Sequence, residues 1–223
     1  MPRTARIVLG GVIFHVLNRA NVRARIFKDD KDYAGFVGLL AETAARVPPV
    51  RILAYCIMSN HWHLLLYPRH PGDLSAFLQR LTTTHVRRWH LRRRSVGSGH
   101  LYQGAYKSFP DDDHFLTVCR YIERNALRAG LVKRAEDWQW SSLWLRLHGD
   151  PRDGPALSAW PVARPRHWLS WVNQPQTAQA LQALRLSVQR GRPYGSGGWQ
   201  KRIAKRLDLE STFRARGRPR KGT

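Results

Sequence analysis

Acidic residues are scarce in this sequence, which has 15 Asp and Glu against 38 Lys and Arg among its 223 residues. The formal net charge of +23 is unfavourable for an enzyme of small neutral substrates, so it indicates a polyanionic partner. A nucleic acid is a better candidate for this polyanionic partner than a membrane surface. Hydrophobic residues make up 43% of the chain and aromatic residues 10%, which predicts a folded core rather than a disordered basic chain.

Cysteine is also scarce, and long hydrophobic runs are absent. Cys56 and Cys119 each lie in an apolar stretch, which excludes a disulfide framework and a cysteine-based zinc finger. The apolar run at residues 7–9 is too short for a signal peptide or a membrane span. We therefore expect no membrane partner and a cytoplasmic, nucleoid-associated protein.

The order of the apolar patterns predicts an α+β fold. Strand composition alternates with helical spacing in the order strand, helix, strand, strand, helix, strand, helix. The second and third strands flank the turn residues Ser59 and Asn60 and are predicted to form a hairpin. This order indicates a central antiparallel sheet covered by helices. The four strands are predicted at residues 12–17, 50–58, 62–67 and 101–109.

Composition also predicts three parts of the chain. Residues 1–148 form the predicted α+β domain, and residues 149–175, rich in Pro, Gly, Ala and Ser, form a predicted linker. Residues 176–223 are strongly basic and have helical spacing over most of their first half. We predict a basic, mainly helical C-terminal extension that binds DNA.

Two histidines at the start of the third strand are candidate metal ligands. Side chains alternate along a strand, so His61 and His63 project from one face while Trp62 projects from the other. That geometry can hold one metal ion. The pair alone is weak evidence, because an isolated His-x-His more often consists of ordinary polar residues at the start of a strand.

The third predicted helix carries a second candidate pair. Tyr121 and Asn125 are four residues apart and therefore stack one turn above the other. Asn125 offers a carbonyl oxygen that could complete a three-ligand metal site with the histidines. Tyr121 is then either a nucleophile beside that metal or a half-buried core residue with a solvated hydroxyl.

Several blocks of the sequence together resemble a known family. They are FHVLNRANVRARIFKDDKDY, AYCIMSNHWHLLLYP, GHLYQGAYKSFPDDDHFLTVCRYIERNALRAGLV and the Trp-x-Trp-Ser-Ser-Leu motif at residues 138–143. In this order they resemble the single-tyrosine HUH transposases, the IS200-like family, and within it the branch associated with repetitive extragenic palindromes. The resemblance covers about residues 6–144 and extends to the basic C-terminal end. It implies a ferredoxin-like or RRM-like HUH endonuclease fold.

The resemblance also implies roles for single residues. His61 and His63 would be catalytic metal ligands, Asn125 the third ligand and Tyr121 the catalytic nucleophile. The expected cofactor is Mg²⁺ or Mn²⁺. The expected reaction is cleavage of single-stranded DNA beside hairpins of palindromic repeats through a 5′-phosphotyrosine intermediate, followed by strand transfer. The sequence departs from the family pattern at Ser59 and Ala126, where proline is usual.

Basic residues outside this constellation are candidates for DNA binding. Arginines surround Trp89 in residues 87–94, which combines phosphate contacts with an aromatic ring that can stack on a base. The tail at residues 216–221 resembles an AT-hook, a motif for the minor groove of duplex DNA, and is also compatible with a disordered, nonspecific anchor. The predicted DNA-binding residues are Asn18, Arg19, Arg87, Arg88, Trp89, Lys107, Arg216 and Arg218.

Other functions remain compatible with these patterns. The chain could be a sequence-specific or structure-specific DNA-binding or regulatory protein whose site no longer cleaves, in which case binding would depend on salt and not on metal. An RNA-binding protein is a third hypothesis. The patterns are compatible with a monomer or a homodimer.

Overall fold

The computed structural model describes residues 9–47, 50–104, 106–111, 114–150 and 153–214. Four strands and eight α-helices follow one another in these ranges. The strands are β1 (Ile13–Arg19), β2 (Val50–Met58), β3 (His61–Pro68) and β4 (Lys107–Asp111). The helices are α1 (Asp30–Arg46), α2 (Asp73–Arg92), α3 (Phe115–Glu123), α4 (Asn125–Arg128), α5 (Ser142–His148), α6 (Trp168–Asn173), α7 (Ala178–Arg190) and α8 (Gly197–Arg206).

The four strands form one sheet in the order β2-β3-β1-β4, and every neighbouring pair is antiparallel. β2 and β3 form the predicted hairpin, in which Met58 is paired with His61 across the turn. β1 lies between β3 and β4 and pairs Leu17 with His63. The predicted α+β class with a central antiparallel sheet, and the predicted order of its strands and helices, are confirmed.

Alternation along β3 divides the core into two clusters, one on each face of the sheet. Trp62, Leu64 and Leu66 are fully buried with side chains of α1 and α2, such as Phe36 and Phe77. The residues between them on β3 belong to the opposite face, where Leu65 shares one hydrophobic cluster with side chains of α3, α6 and α7. His63, buried on the same face as Leu65, therefore lies close to the third helix.

Local capping explains where two of the helices begin. The side chain of Asp29 accepts a hydrogen bond from the backbone N–H of Asp32 at the start of α1. The hydroxyl of Thr177 does the same for Ala180 at the start of α7. α3 ends at Glu123, and α4 begins at Asn125 after the single residue Arg124, although no proline is present there.

The segment after residue 148 packs against the sheet domain. Helix α6 lies inside the stretch that was predicted as a linker, and its Trp168 is only 2% exposed. The indole N–H of Trp168 donates to the carboxylate of Glu123 on α3 at 2.8 Å. The division into parts at residues 148 and 175 stays a prediction. The sheet domain and the segment after it share one hydrophobic core. Helices α7 and α8 bear out the helical character of the extension.

No helix in the described parts of the chain has the length and apolar character needed to span a membrane.

Candidate active site

The β2–β3 hairpin places both predicted histidines at one end of the sheet. His61 is the first residue of β3, and its partner across the turn is Met58. His63 follows on the same face, and the two imidazole centroids are 5.0 Å apart. The opposite orientation of Trp62, which is buried in the other cluster, confirms the predicted alternation.

Hydrogen bonds hold each imidazole through its Nδ1 atom. Nδ1 of His61 lies 2.6 Å from Oδ1 of Asn60, so it donates to that oxygen. Nδ1 of His63 lies 2.8 Å from Nε2 of His15, a buried histidine on β1. Neither Nε2 atom of the pair makes a hydrogen bond with the described residues. Both Nε2 atoms are therefore free to act as metal ligands. The hydrogen bonds at Nδ1 fix the orientation of the two rings.

Burial keeps these imidazoles neutral. Loss of hydration lowers the pKa of His61 to about 3, and the positive charges of Arg19 and Arg128 act in the same direction. Burial also lowers the pKa of His63 well below its ordinary value, with His15 as the next cause. Neutral imidazole is the form that binds a metal ion.

Helices α3 and α4 bring the other predicted pair to the same place. Tyr121 is 5% exposed, and its ring lies edge-on to His63 with the centroids 5.9 Å apart. Asn125 is the first residue of α4 and is almost fully buried. Its Oδ1 accepts a hydrogen bond from Nη2 of Arg128, whereas its Nδ2 has no hydrogen-bond partner among the described residues.

These four side chains line one cavity of about 180 Å³. None of the described residues on its wall is acidic, so two guanidinium groups, from Arg19 and Arg128, give it a positive charge. The wall also includes Val188 of helix α7, so the C-terminal extension closes one side of the cavity. The described lining residues are Leu17, Arg19, Met58, His61, His63, Tyr121, Asn125, Arg128, Ala129 and Val188.

Comparison with protein families gives a match over residues 9–125, which is more than half of the chain and ends at the asparagine of this cavity. The matching family is described as Transposase IS200 like. The chain belongs to the IS200-like transposase family. As a member of that family it is a DNA transposase, and the family resemblance found in the sequence is confirmed. No curated protein matches the chain.

Two solved structures are similar to this transposase. One similar structure is a REP-associated tyrosine transposase bound to a REP hairpin, with a TM-score of 0.51 and 17% sequence identity over 74% of this chain and 98% of the other. Another is a protein from Deinococcus radiodurans described as a candidate transposase, with a TM-score of 0.38 and 22% identity over 55% of this chain and 96% of the other. The first of these supports the HUH-type fold.

The donor set of the transposase fits a divalent metal ion. Two neutral imidazoles and one amide oxygen provide two nitrogen ligands and one oxygen ligand, which suits Mn²⁺ and is tolerated by Mg²⁺. The amide oxygen of Asn125 accepts a hydrogen bond from Arg128, and the second lone pair of this oxygen is the one that could bind an ion. The unpartnered Nδ2 of Asn125 is a donor and does not bind a cation. No set of three or more His, Cys, Asp or Glu side chains within the described ranges is arranged to bind a metal.

The structure distributes the predicted DNA-binding residues over several surfaces. Arg19 lines the cavity, whereas Asn18 lines a larger neighbouring groove of about 680 Å³ between α2 and residues 99–106. Lys107 is exposed at the start of β4. Arg216 and Arg218, and the AT-hook prediction with them, lie outside the described residues.

The basic segment of α2 is partly used for packing. The indole N–H of Trp89 donates to the backbone carbonyl of Ile26 at 2.8 Å, and the guanidinium of Arg93 lies 4.3 Å from the ring centroid. Trp89 therefore packs against the core, and one face of its ring is already covered. Arg88 forms an ion pair with Glu42 at 2.7 Å, and Arg87 is exposed. DNA binding by these residues stays a prediction.

Two residues of the site were not anticipated from the sequence. His15 was hidden in an apolar strand, and only the sheet register brings it diagonally across from His63. Arg128 stands among many arginines, and its position three residues after Asn125 on a helix was the available signal.

Proposed function

We propose that this transposase is a metal-dependent single-stranded DNA endonuclease and strand transferase that works through a 5′-phosphotyrosine intermediate. The observation that carries this proposal is the convergence of Tyr121, His61, His63 and Asn125 on one positively charged cavity. Two of these residues come from the β2–β3 hairpin and two from helices α3 and α4.

In the proposed cleavage reaction, a divalent ion would activate the phosphate and a side chain of the protein attacks it. A divalent ion held by His61, His63 and Asn125 would supply Lewis-acid activation of the scissile phosphate. Oη of Tyr121 attacks phosphorus, the Oη–P bond forms and the P–O3′ bond breaks. The phenol loses its proton, and the departing 3′-oxygen gains one and leaves as a free hydroxyl. The downstream DNA stays attached to Tyr121 by its 5′-phosphate, and attack by a 3′-hydroxyl reverses these steps to join a new strand.

The proposed substrate is DNA with hairpins formed by palindromic repeats. The similar structure in complex with a REP hairpin supports this choice. The net charge of +23 supports a polyanionic ligand that extends well beyond the small cavity. The helices of the C-terminal extension provide further basic surface for the hairpin stem.

The test uses single-stranded DNA that contains a palindromic repeat and a flanking single-stranded sequence. The protein is incubated with Mn²⁺, Mg²⁺ or EDTA, and products are separated on denaturing gels. Because Tyr121 would keep the 5′-phosphate, DNA labelled at its 3′ end should appear in a covalent adduct, and DNA labelled at its 5′ end should appear as a shorter free fragment. The adduct should need metal.

Tyr121→Phe should abolish the adduct and leave hairpin binding nearly unchanged. Tyr67→Phe is the matched control, because Tyr67 lies on β3 but does not line the cavity. An adduct that persists in Tyr121→Phe would assign the nucleophile to another residue. Tight binding without cleavage in any metal would favour the DNA-binding or regulatory function instead.

A further inference from the structure

Arg128 occupies a central position in the cavity. It is the last residue of α4, one turn after Asn125. Its guanidinium carbon lies 4.2 Å from the centroid of the Tyr121 ring, and its Nη2 donates to Oδ1 of Asn125. One side chain therefore contacts both the proposed nucleophile and a proposed metal ligand.

The second terminal nitrogen of this guanidinium is not satisfied. Nη1 of Arg128 is buried and has no hydrogen-bond partner among the described residues. A buried donor of a charged group without a partner costs free energy, so its presence in a cavity indicates a ligand that completes it. No carboxylate of the described residues lies on the cavity wall to serve as that partner.

A neighbouring arginine shows what a structural role looks like here. Arg124, four residues earlier, donates through Nη1 to the backbone carbonyls of Val172 and Asn173 at the end of α6. Its guanidinium holds α6 against α3 and does not line the cavity. Each of these two arginines donates through one terminal nitrogen, but of the two only Arg128 has a second terminal nitrogen that is buried without a partner among the described residues.

We propose that Arg128 is a catalytic residue that binds the scissile phosphate, with Nη1 donating to a non-bridging oxygen while Nη2 remains on Asn125. This inference rests on the proposed function, because it requires that the DNA phosphate enters this cavity. The planar fork of a guanidinium suits such a double contact. It would hold phosphorus near Oη of Tyr121 and offset the negative charge that develops during attack.

The first experiment measures binding without chemistry. In the Tyr121→Phe background and in EDTA, so that no divalent ion contacts the phosphate, affinity is compared for hairpin DNA with a normal phosphodiester and for the same DNA with a neutral methylphosphonate at the cleavage position. With Arg128 present, the methylphosphonate should weaken binding about 10-fold or more, which corresponds to loss of one charge-assisted hydrogen bond. In Arg128→Met, both DNAs should bind weakly and equally.

A matched variant separates this contact from general attraction. Lys133→Met removes one exposed charge outside the cavity and should keep the full methylphosphonate effect. Arg128→Lys keeps the charge but not the fork, so it should recover part of that effect. In the active protein, Arg128→Met should slow single-turnover cleavage by about 100- to 1,000-fold, as does loss of one preorganised donor elsewhere.

The outcomes are distinguishable. An undiminished methylphosphonate effect in Arg128→Met, or no such effect with Arg128 present, overturns the proposal. Failure of the wild-type protein to form any adduct would contradict the proposed function, but the binding comparison would still report on Arg128. Circular dichroism and urea unfolding of each variant establish that it is folded before binding is compared.

Discussion

Trp168→Phe tests whether the segment after the sheet domain stabilises the helix of the proposed nucleophile. Trp168 on α6 donates its indole N–H to Oε2 of Glu123 on α3, and Ser142 donates its hydroxyl to Oε1, each at 2.8 Å. Glu123 is fully buried and lies two residues from Tyr121. The substitution removes one of the two donors that stabilise this buried carboxylate.

The expected loss can be worked out from these contacts. A hydrogen bond to a charged group contributes about 1.5–3 kcal/mol. The smaller phenyl ring also leaves a cavity beside Trp160 and Trp171, whose rings now contact Trp168. We therefore expect the free energy of unfolding to fall by about 2–4 kcal/mol. Trp144→Phe is the control, because Trp144 is half-buried and its indole N–H has no hydrogen-bond partner among the described residues.

The pH dependence of this loss has a defined sign. Burial raises the pKa of Glu123 above its ordinary value of 4.5, and the hydrogen bonds from Ser142 and Trp168 act against that rise. The free energy of unfolding therefore falls as pH rises above 4.5, because the carboxyl ionises more readily in the unfolded chain than in the native state. Because Trp168 favours the ionised form, the destabilisation by Trp168→Phe should grow over this range of rising pH.

The assay is urea unfolding followed by tryptophan fluorescence and circular dichroism between pH 4.5 and 8. A loss under about 0.5 kcal/mol, equal to that of Trp144→Phe and constant with pH, would refute the role of this hydrogen bond. The same variants can be assayed for adduct formation. Misplacement of α3 should reduce the rate of cleavage more than the affinity for the hairpin.

Three further predictions follow from other contacts. Four buried histidines have lowered pKa values, so the unfolded state binds more protons than the native state below about pH 6.5. For each of them the free energy of unfolding should fall by about 1.4 kcal/mol per pH unit until the native pKa is reached. We expect acid unfolding, monitored by circular dichroism, to be complete near pH 4, and a fully folded protein at pH 3 would contradict this. Tyr102→Phe should cost about 1–3 kcal/mol in urea unfolding, because the indole N–H of Trp62 loses its acceptor at 2.9 Å; an unchanged midpoint would be inconsistent with that. Arg87→Ala should reduce the magnitude of the slope of log DNA affinity against log salt concentration by about 0.7–0.9. Arg88→Ala should reduce it by less, because Arg88 is already paired with Glu42. Equal slopes for the wild type and Arg87→Ala would exclude a phosphate contact by Arg87. The four histidines are His15, His61, His63 and His85.

Local patterns predicted much of the fold because they depend on neighbours in the chain. The hairpin turn at Ser59 and Asn60 and the alternation of His61 and Trp62 follow from such local patterns. The spacing of Tyr121 and Asn125 was predicted for one helix, whereas the structure divides it at Arg124 into α3 and α4 and still brings both residues to the cavity.

Contacts between distant segments could not be predicted in this way. His15 meets His63 only because β1 is inserted beside β3 in the sheet, and Val188 reaches the cavity only because α7 folds back over it. The segment after residue 148 has the composition of a linker, yet its tryptophan finds a buried carboxylate on α3. Such contacts follow from packing rather than from local propensity.

The sequence by itself determined the charge that indicates a nucleic-acid partner, the α+β order of elements and the residues that could carry the chemistry. Only the tertiary structure decided that these residues share one cavity, that none of the described residues on its wall is acidic, and that Arg128 stands over Tyr121 with one nitrogen unsatisfied. The physical reason is that periodicity sets the face on which a side chain lies, whereas the packing of faces sets what that side chain meets.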